Sequence, residues 1–429
     1  MKKTLLGLAL GLAFGTASAQ SVDELVDNVE PQVIEWRHHF HENPELSNRE
    51  FETAKYITEY LKTLDVEITT EVAKTGVVAV LDSGKPGPTV ALRADMDGLP
   101  VKERNDLPWK STKTGEFDGN TVPVMHACGH DTHMAMLMGA AEVLTQMKDQ
   151  LRGKVKFIFQ PAEEGAPPGE KGGAEVMVKE GVLKSPDVDV IFGLHINANT
   201  DIGKVRYTPE GAMAAVDPFK IVIKGKQAHG AYPWKSVDPI VTAAQMVMSL
   251  QTIVSREIKV IDSAAVVSVG SIHGGNRSNI IPEDVELVGT IRTLSKEARE
   301  HIYEAMERKV KGIADSMGAK AELTLPLDYS YPITFNDPDL TARMLPTIQE
   351  AAGKENVLLS KPVTGAEDFS FFQEEVPGLY LWVGGKPLDV SVEESPAHHT
   401  PEFYVDDKGM KLGVSLLTKM TIDYMNKSN

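Results

Sequence analysis

The sequence predicts an α/β fold: a first domain built on a mostly parallel sheet flanked by helices, interrupted by an inserted ferredoxin-like α+β domain. Three observations predict it. Apolar, β-rich runs alternate with helix-periodic segments over residues 22–195. The texture changes near residue 215 to a β-α-β-β-α-β order. From residue 336 onward, long helices return around a single apolar strand.

Residues 22–41 and 50–64 read as helices, and 77–83 (VVAVLDS) and 88–94 (PTVALRA) as strands. Residues 131–147 are helix-periodic, with Asp131 a plausible N-cap. The runs 154–160 (KVKFIFQ) and 189–195 (DVIFGLH) are again strands. In the insertion, 219–225 is a strand and 237–255 a helix capped by Asp238 with Pro239 at its first position. Strands at 264–272 and 283–294, a charged amphipathic helix at 295–316 and a strand at 321–327 complete it. The apolar strand of the returning segment is GLYLWVGG, 378–385, and the loop PPGEKGG, 167–173, is the most flexible-looking internal stretch. The domain reading is 20–215 with 329–429, and 216–328 as the insertion.

Residues 1–19 stand outside this fold. Lys2 and Lys3, an apolar run, then Ala17-Ser18-Ala19 follow signal-peptide grammar, and the run is short for a membrane span. Cleavage after Ala19 and export to a bacterial periplasm or the medium are expected. Hydrophobic residues at 42% and charged residues at 24% are those of a soluble globular protein. A net charge of −17 without a basic patch argues against nucleic-acid or anionic-lipid partners. No membrane association is expected after cleavage.

Ligands of open α/β sheets bind beyond the carboxyl ends of the strands. Asp95 and Asp97 follow the strand at 88–94, Glu163 and Glu164 follow 154–160, and His195 ends 189–195. The stretch VMHACGHDTHM puts His126, Cys128, His130, Asp131 and His133 just before and into a helix, and His398-His399 follow 378–385 by a loop. Taken alone, VMHACGHDTHM is a metal site, a nucleophile with its base, or an accident. Convergence of several such segments on one rim favours a site. Cys128 is the only cysteine, and exported proteins use cysteines in pairs, so a metal-bound thiolate is the sharper reading beside a buried inert thiol. Mixed S, N and O donors suit Zn, Mn, Co or Ni rather than Ca or Mg. Of two adjacent glutamates in a loop, one can bind metal while the other faces water as general base.

HACGHDTHMAM, FQPAEEG, QAHGAYP, GGNRSNIIPEDVELVGTIRT, TGAEDFSFF and HHTPEF together resemble the dimetal peptidases of family M20. The similarity is strongest to the amidohydrolase branch, which holds hippurate hydrolases, indole-acetyl-amino-acid hydrolases and N-acyl-amino-acid deacylases. HENPELSNREFETAKYI matches that branch too. The resemblance spans about residues 30–420 and implies hydrolysis of N-acyl amino acids, with a periplasmic dipeptidase or carboxypeptidase as the alternative. It implies two divalent transition-metal ions held by Cys128, His130, Glu164, His195 and His399, with Glu163 as general base. On the insertion, which would be a lid and dimerisation domain of a homodimer, it implies His229 as the group polarising the scissile carbonyl, often across to the partner subunit. Asn279 and Arg292 would bind substrate. The family's exopeptidases carry His-x-Asp where this chain has Asp95-Met96-Asp97. That departure argues for the amidohydrolase branch and leaves Asp95 and Asp97 as supporting or structural groups. His126 and His133 are expected to support the ligands or pack, and Asp131 to start the helix or orient a ligand.

Overall fold

The computed structural model describes residues 20–261 and 263–426; the expected signal peptide lies outside the described residues. The main sheet has eight strands. In spatial order these are Glu67–Val72, Gly76–Asp82, Lys154–Gln160, Thr89–Asp95, Val190–Asp201, Gly378–Lys386, Val205–Tyr207 and Val357–Leu359. The four central strands, Lys154–Gln160 through Gly378–Lys386, run parallel, and the Gly76–Asp82 and Glu67–Val72 strands extend them antiparallel.

Both faces of the central strands are covered, which is why they read as continuous apolar runs rather than alternating ones. Leu92, Phe157 and Phe192 face the larger core, formed with helices Val22–Glu42, His130–Gln146 and Met410–Asn426. Their neighbours Ala91, Ile158 and Ile191 face the opposite core, closed by Ala174, Met177, Phe369 and Phe372. Helix Val22–Glu42 begins in a reciprocal capping box of Ser21 and Glu24.

The second sheet is antiparallel with strand order Ala265–His273, Asp284–Thr293, Ala215–Lys224, Lys320–Thr324. That is ferredoxin-like topology, with Pro239–Thr252 and Lys296–Met317 as its helices and a separate apolar core centred on Phe219, Leu250, Leu287 and Met306. Asp238 caps the first of these helices, accepting from the Ile240 and Val241 N–H groups. Among the described residues no helix is long and apolar enough to cross a membrane.

Three local expectations need correction. Asp131 is not the helix N-cap. Gly129 holds that place at φ 101°, and the buried Asp131 carboxylate instead accepts from Arg37 (3.0 Å) and His41 (2.9 Å). The strand at 189–195 does not end at His195 but runs to Asp201. Its ladder with the Thr89–Asp95 strand stops at Arg93↔Gly193, so His195 still stands at the carboxyl rim. The loop 167–173 is tied down through Glu170, which accepts from Arg49, Lys74 and Asn48.

Candidate metal centre and catalytic loop

Four sequence-distant segments, carrying Cys128 with His130, Glu163 with Glu164, His195 and His399, meet at the carboxyl rim of the main sheet. Cys128 Sγ lies 3.3 Å from His195 Nε2 and 3.3 Å from His399 Nε2. Glu164 Oε1 lies 3.1 Å from His399 Nε2 and 3.9 Å from His130 Nε2. Glu163 Oε2 lies 3.8 Å from His130 Nε2. The overlapping sets Cys128–Glu164–His399, His130–Glu163–Glu164 and His130–His133–His195 put their donor atoms within 4.8 Å of one another. All five residues expected as ligands are therefore brought together.

The hydrogen bonds decide which imidazoles are free to coordinate. His130 Nδ1 donates to the Asp97 carbonyl (2.8 Å), leaving Nε2 buried without a partner. His195 Nδ1 donates to the Ile196 carbonyl, again leaving Nε2 toward the cluster. His398 differs although its Nδ1 is 3.8 Å from Cys128 Sγ. Its Nε2 accepts the Ala198 N–H (3.1 Å), so Nδ1 carries the proton and donates to the Cys128 carbonyl (3.1 Å). With both nitrogens committed to backbone, His398 is a brace, whereas His399 Nε2 meets only the cluster side chains Cys128 and Glu164. A buried, unpartnered imidazole nitrogen among a thiol and a carboxylate is the donor set of a borderline divalent transition metal, so the residues fit such an ion.

Local sequence explains how Cys128 and His130 reach one point. A Cβ on Gly129 would stand 2.3 Å from Ile196 Cγ2, and its φ is in the left-handed region. Only glycine lets the chain turn there into the helix while passing this close to the Val190–Asp201 strand.

The groups behind the ligands are the ones the sequence left open. Asp97 accepts the main-chain N–H groups of both Glu163 (3.1 Å) and Glu164 (3.0 Å), and also the Ser47 hydroxyl (2.6 Å). The Asp97 carboxylate thus holds the glutamate loop while the main-chain carbonyl of the same residue holds His130. His133 Nε2 accepts the Ile196 N–H (2.8 Å), so its Nδ1 donates to Asp95 (2.6 Å) and fixes the strand at His195. His126 makes no hydrogen bond from either nitrogen and is buried, which lowers its pKa to about 4; it is a neutral packing group. Arg93, Gln160, Glu367, Asp368 and Tyr380 form a buried polar layer beneath the site that sequence reasoning missed. TGAEDFSFF was singled out as a motif, but nothing local tells that Glu367 and Asp368 point inward.

Burial raises the Cys128 thiol pKa, and Glu164, Glu163 and Asp95 raise it further. Burial alone would hold His130 neutral, but Asp95, Asp97 and Glu164 carry its pKa to about 10. Burial, Glu367 and Glu164 push Glu163 well above the carboxylate range. Coordination needs a thiolate and a neutral imidazole. At neutral pH the metal-free protein therefore holds protons on Cys128 and His130 that a metal must displace. Filling the whole centre should release at least these two protons, one from Cys128 and one from His130, and apparent affinity should climb steeply with pH. Titration calorimetry in buffers of differing ionisation enthalpy measures this; no proton release would remove Cys128 and His130 from the ligand set.

His229, Asn279 and Arg292 are not brought to this cluster within one chain. His229 sits exposed on the Ala228–His229 strand and Asn279 exposed in the turn just before its partner Ile280–Ile281, joined by the Gly230 N–H donating to the Asn279 carbonyl. Arg292 lies on the Asp284–Thr293 strand between Val216 and Val266. Among the described residues no hydrogen bond or ion pair links any of them to the metal-binding groups; Arg292 rides on the antiparallel sheet, and His229 and Asn279 belong to a separate two-stranded ladder.

Comparison with known proteins identifies the family. The sequence profile of peptidase family M20/M25/M40 matches residues 91–423. The chain belongs to this family. It is 39% identical over 94% of its length to a protein named thermostable carboxypeptidase 2 from Saccharolobus solfataricus, covering 98% of that protein. It is 38% identical to a Bacillus subtilis protein named N-acetylcysteine deacetylase, over 91% of this chain and 96% of the relative. Among solved structures, a Bacillus subtilis protein described as a dinuclear metal-binding peptidase of family M20 superposes with a TM-score of 0.77 at 34% identity. That match covers 93% of this chain and 99% of the other. The protein is thus a metal-binding hydrolase of amide bonds.

Proposed function

We propose that this enzyme hydrolyses N-acyl amino acids to a carboxylic acid and a free amino acid, using two divalent ions of the Zn, Mn, Co or Ni type. The observation that carries the reading is the division of labour at Glu163-Glu164. Both carboxylates lie within 4 Å of His130 Nε2 and both main chains are clamped by Asp97, but only Glu164 also meets His399, at 3.1 Å, which leaves the Glu163 carboxylate to face water. Ions held there would polarise the substrate carbonyl, acidify a neighbouring water and draw the raised Glu163 carboxyl back toward ionisation. Glu163 then takes the proton of the attacking water and returns it to the leaving nitrogen. His229 of the partner subunit would donate to the developing oxyanion, and Arg292 and Asn279 would hold the substrate carboxylate. The homodimer is part of this proposal, and the lid exposes apolar side chains for it, including Trp234 and Met248. Export after cleavage of residues 1–19 is proposed likewise; N-terminal sequencing of the mature protein beginning elsewhere than Gln20 would end that reading.

The carboxypeptidase name of one relative supports a second reading. A C-terminal peptide bond is also an acyl amino acid, so the two differ only in the acyl side. Metal-reconstituted enzyme should cleave N-acetyl and N-benzoyl amino acids with higher kcat/KM than dipeptides or tripeptides. The reverse order across that panel would transfer the assignment to a peptidase.

A further inference from the structure

The loop bearing Glu163 is held in a conformation it would not keep alone. Ala162 has φ 52°, a left-handed value that costs a residue with a Cβ of order 1 kcal/mol or more. Four hydrogen bonds on its main chain hold it. The Ala162 N–H donates to Glu50 (2.9 Å), and the Glu163 and Glu164 N–H groups donate to Asp97. The fourth runs to the Glu163 carbonyl, from the Tyr331 hydroxyl at 3.1 Å.

Tyr331 differs from the other holders in where it comes from. Glu50 and Asp97 belong to the main-sheet body. Tyr331 lies on the segment returning from the ferredoxin-like sheet, where it pairs both ways with Val216 on the outgoing strand (3.0 and 3.1 Å). These two segments form the neck between the two sheets. Its neighbour Ser330 reaches into the other body. The Ser330 hydroxyl donates to the buried Asp217 (2.6 Å) and accepts from Arg299 (2.6 Å), which forks onto Asp217 from helix Lys296–Met317. Consecutive residues of an extended segment point opposite ways. One step of backbone therefore joins the lid helix to the carbonyl of Glu163. The Tyr331 ring is packed edge-on against Phe371, 6.0 Å between centroids, so the hydroxyl cannot swing freely.

We propose that Tyr331 is a positioning residue that couples the seating of the lid to the aim of Glu163. When the lid helix shifts against the neck, the Ser330–Asp217–Arg299 anchor carries Tyr331 with it, and the Glu163 carbonyl follows. The lid thereby sets the base that acts on the substrate it covers. This rests on Glu163 as the general base.

Tyr331→Phe keeps the ring and removes the hydroxyl. It should lower kcat about three- to tenfold, the worth of one hydrogen bond. KM should stay within about twofold and metal content should not change. Ser330→Ala, on the lid side, should lower kcat similarly, and the double variant should be no slower than the worse single. A merely structural tyrosine would lower the melting temperature without splitting kcat from KM. Wild-type kcat in Tyr331→Phe, or losses that multiply in the double variant, overturns the coupling. Glu163→Gln assayed alongside separates the two readings. If it is inactive while Tyr331→Phe keeps full kcat, the coupling alone fails; if it is active, the general-base assignment fails and the coupling with it.

Discussion

Glu163→Gln is expected to yield a folded protein that still takes up metal and turns over N-acyl amino acids about 10²–10⁴-fold more slowly, the usual share of a positioned general base. Gln keeps the shape and the main-chain N–H that Asp97 accepts, so the loop stays in place. What disappears is the carboxylate that receives the proton. Metal content measured by emission spectrometry should match wild type, since the ligand oxygen is on Glu164. Near-normal turnover would remove Glu163 from the chemistry. The same variant probes the lid. Mixed with inactive His229→Ala protein and allowed to exchange subunits, it should regain about a quarter of wild-type activity. Half the dimers are then mixed, and each carries one site with both groups intact. No recovery would mean that His229 does not act across subunits.

Arg93→Met should cost on the order of 3–5 kcal/mol of stability, the loss expected when one partner of a buried ionic network is removed. The Arg93 guanidinium is inaccessible to solvent. It donates to Asp95 (2.6 Å), Gln160 (2.7 Å), Glu367 (2.9 Å) and Asp368 (3.0 Å). Without it, the buried Glu367 and Asp368 lose their cation beside Glu163, and Asp95 keeps only the imidazoles of His130 and His133. Asp368 is already pushed to about 8 by burial even with Arg93 beside it. The surroundings would have to take up protons to keep the layer neutral, so the loss of stability should be larger at high pH than at low pH. Arg93→Lys should rescue little, because an ammonium cannot make the planar, four-partner fork. Urea unfolding of both variants across pH measures this; an Arg93→Met protein as stable as wild type would show that the layer does not depend on its cation.

Much of the site was legible in the sequence because its donors are chemically distinctive and clustered in short segments. Cys128, His130, Glu164, His195 and His399 carry their chemistry in their residue type, and family-like motifs marked them. The preference for His399 over His398 came from the motif. In the structure it has a physical basis, because His398 spends both nitrogens on Ala198 and Cys128 main chain. The helix cap was misjudged because Asp131 has the right side chain for a cap. Tertiary partners, Arg37 and His41, pull that carboxylate away from the helix end.

By itself the sequence determined the two textures of the fold, the metal-binding residue types and the paired glutamates, since periodicity and donor chemistry are local properties. The tertiary structure alone decided how those donors are aimed. Asp97 clamps both glutamate N–H groups across more than sixty residues of chain. Arg93 reaches Glu367 and Asp368 from a strand some 270 positions earlier. Tyr331 meets the Glu163 carbonyl from the neck of the lid. Each is a hydrogen bond between distant segments, set by strand order and register, and no spacing along the chain encodes it.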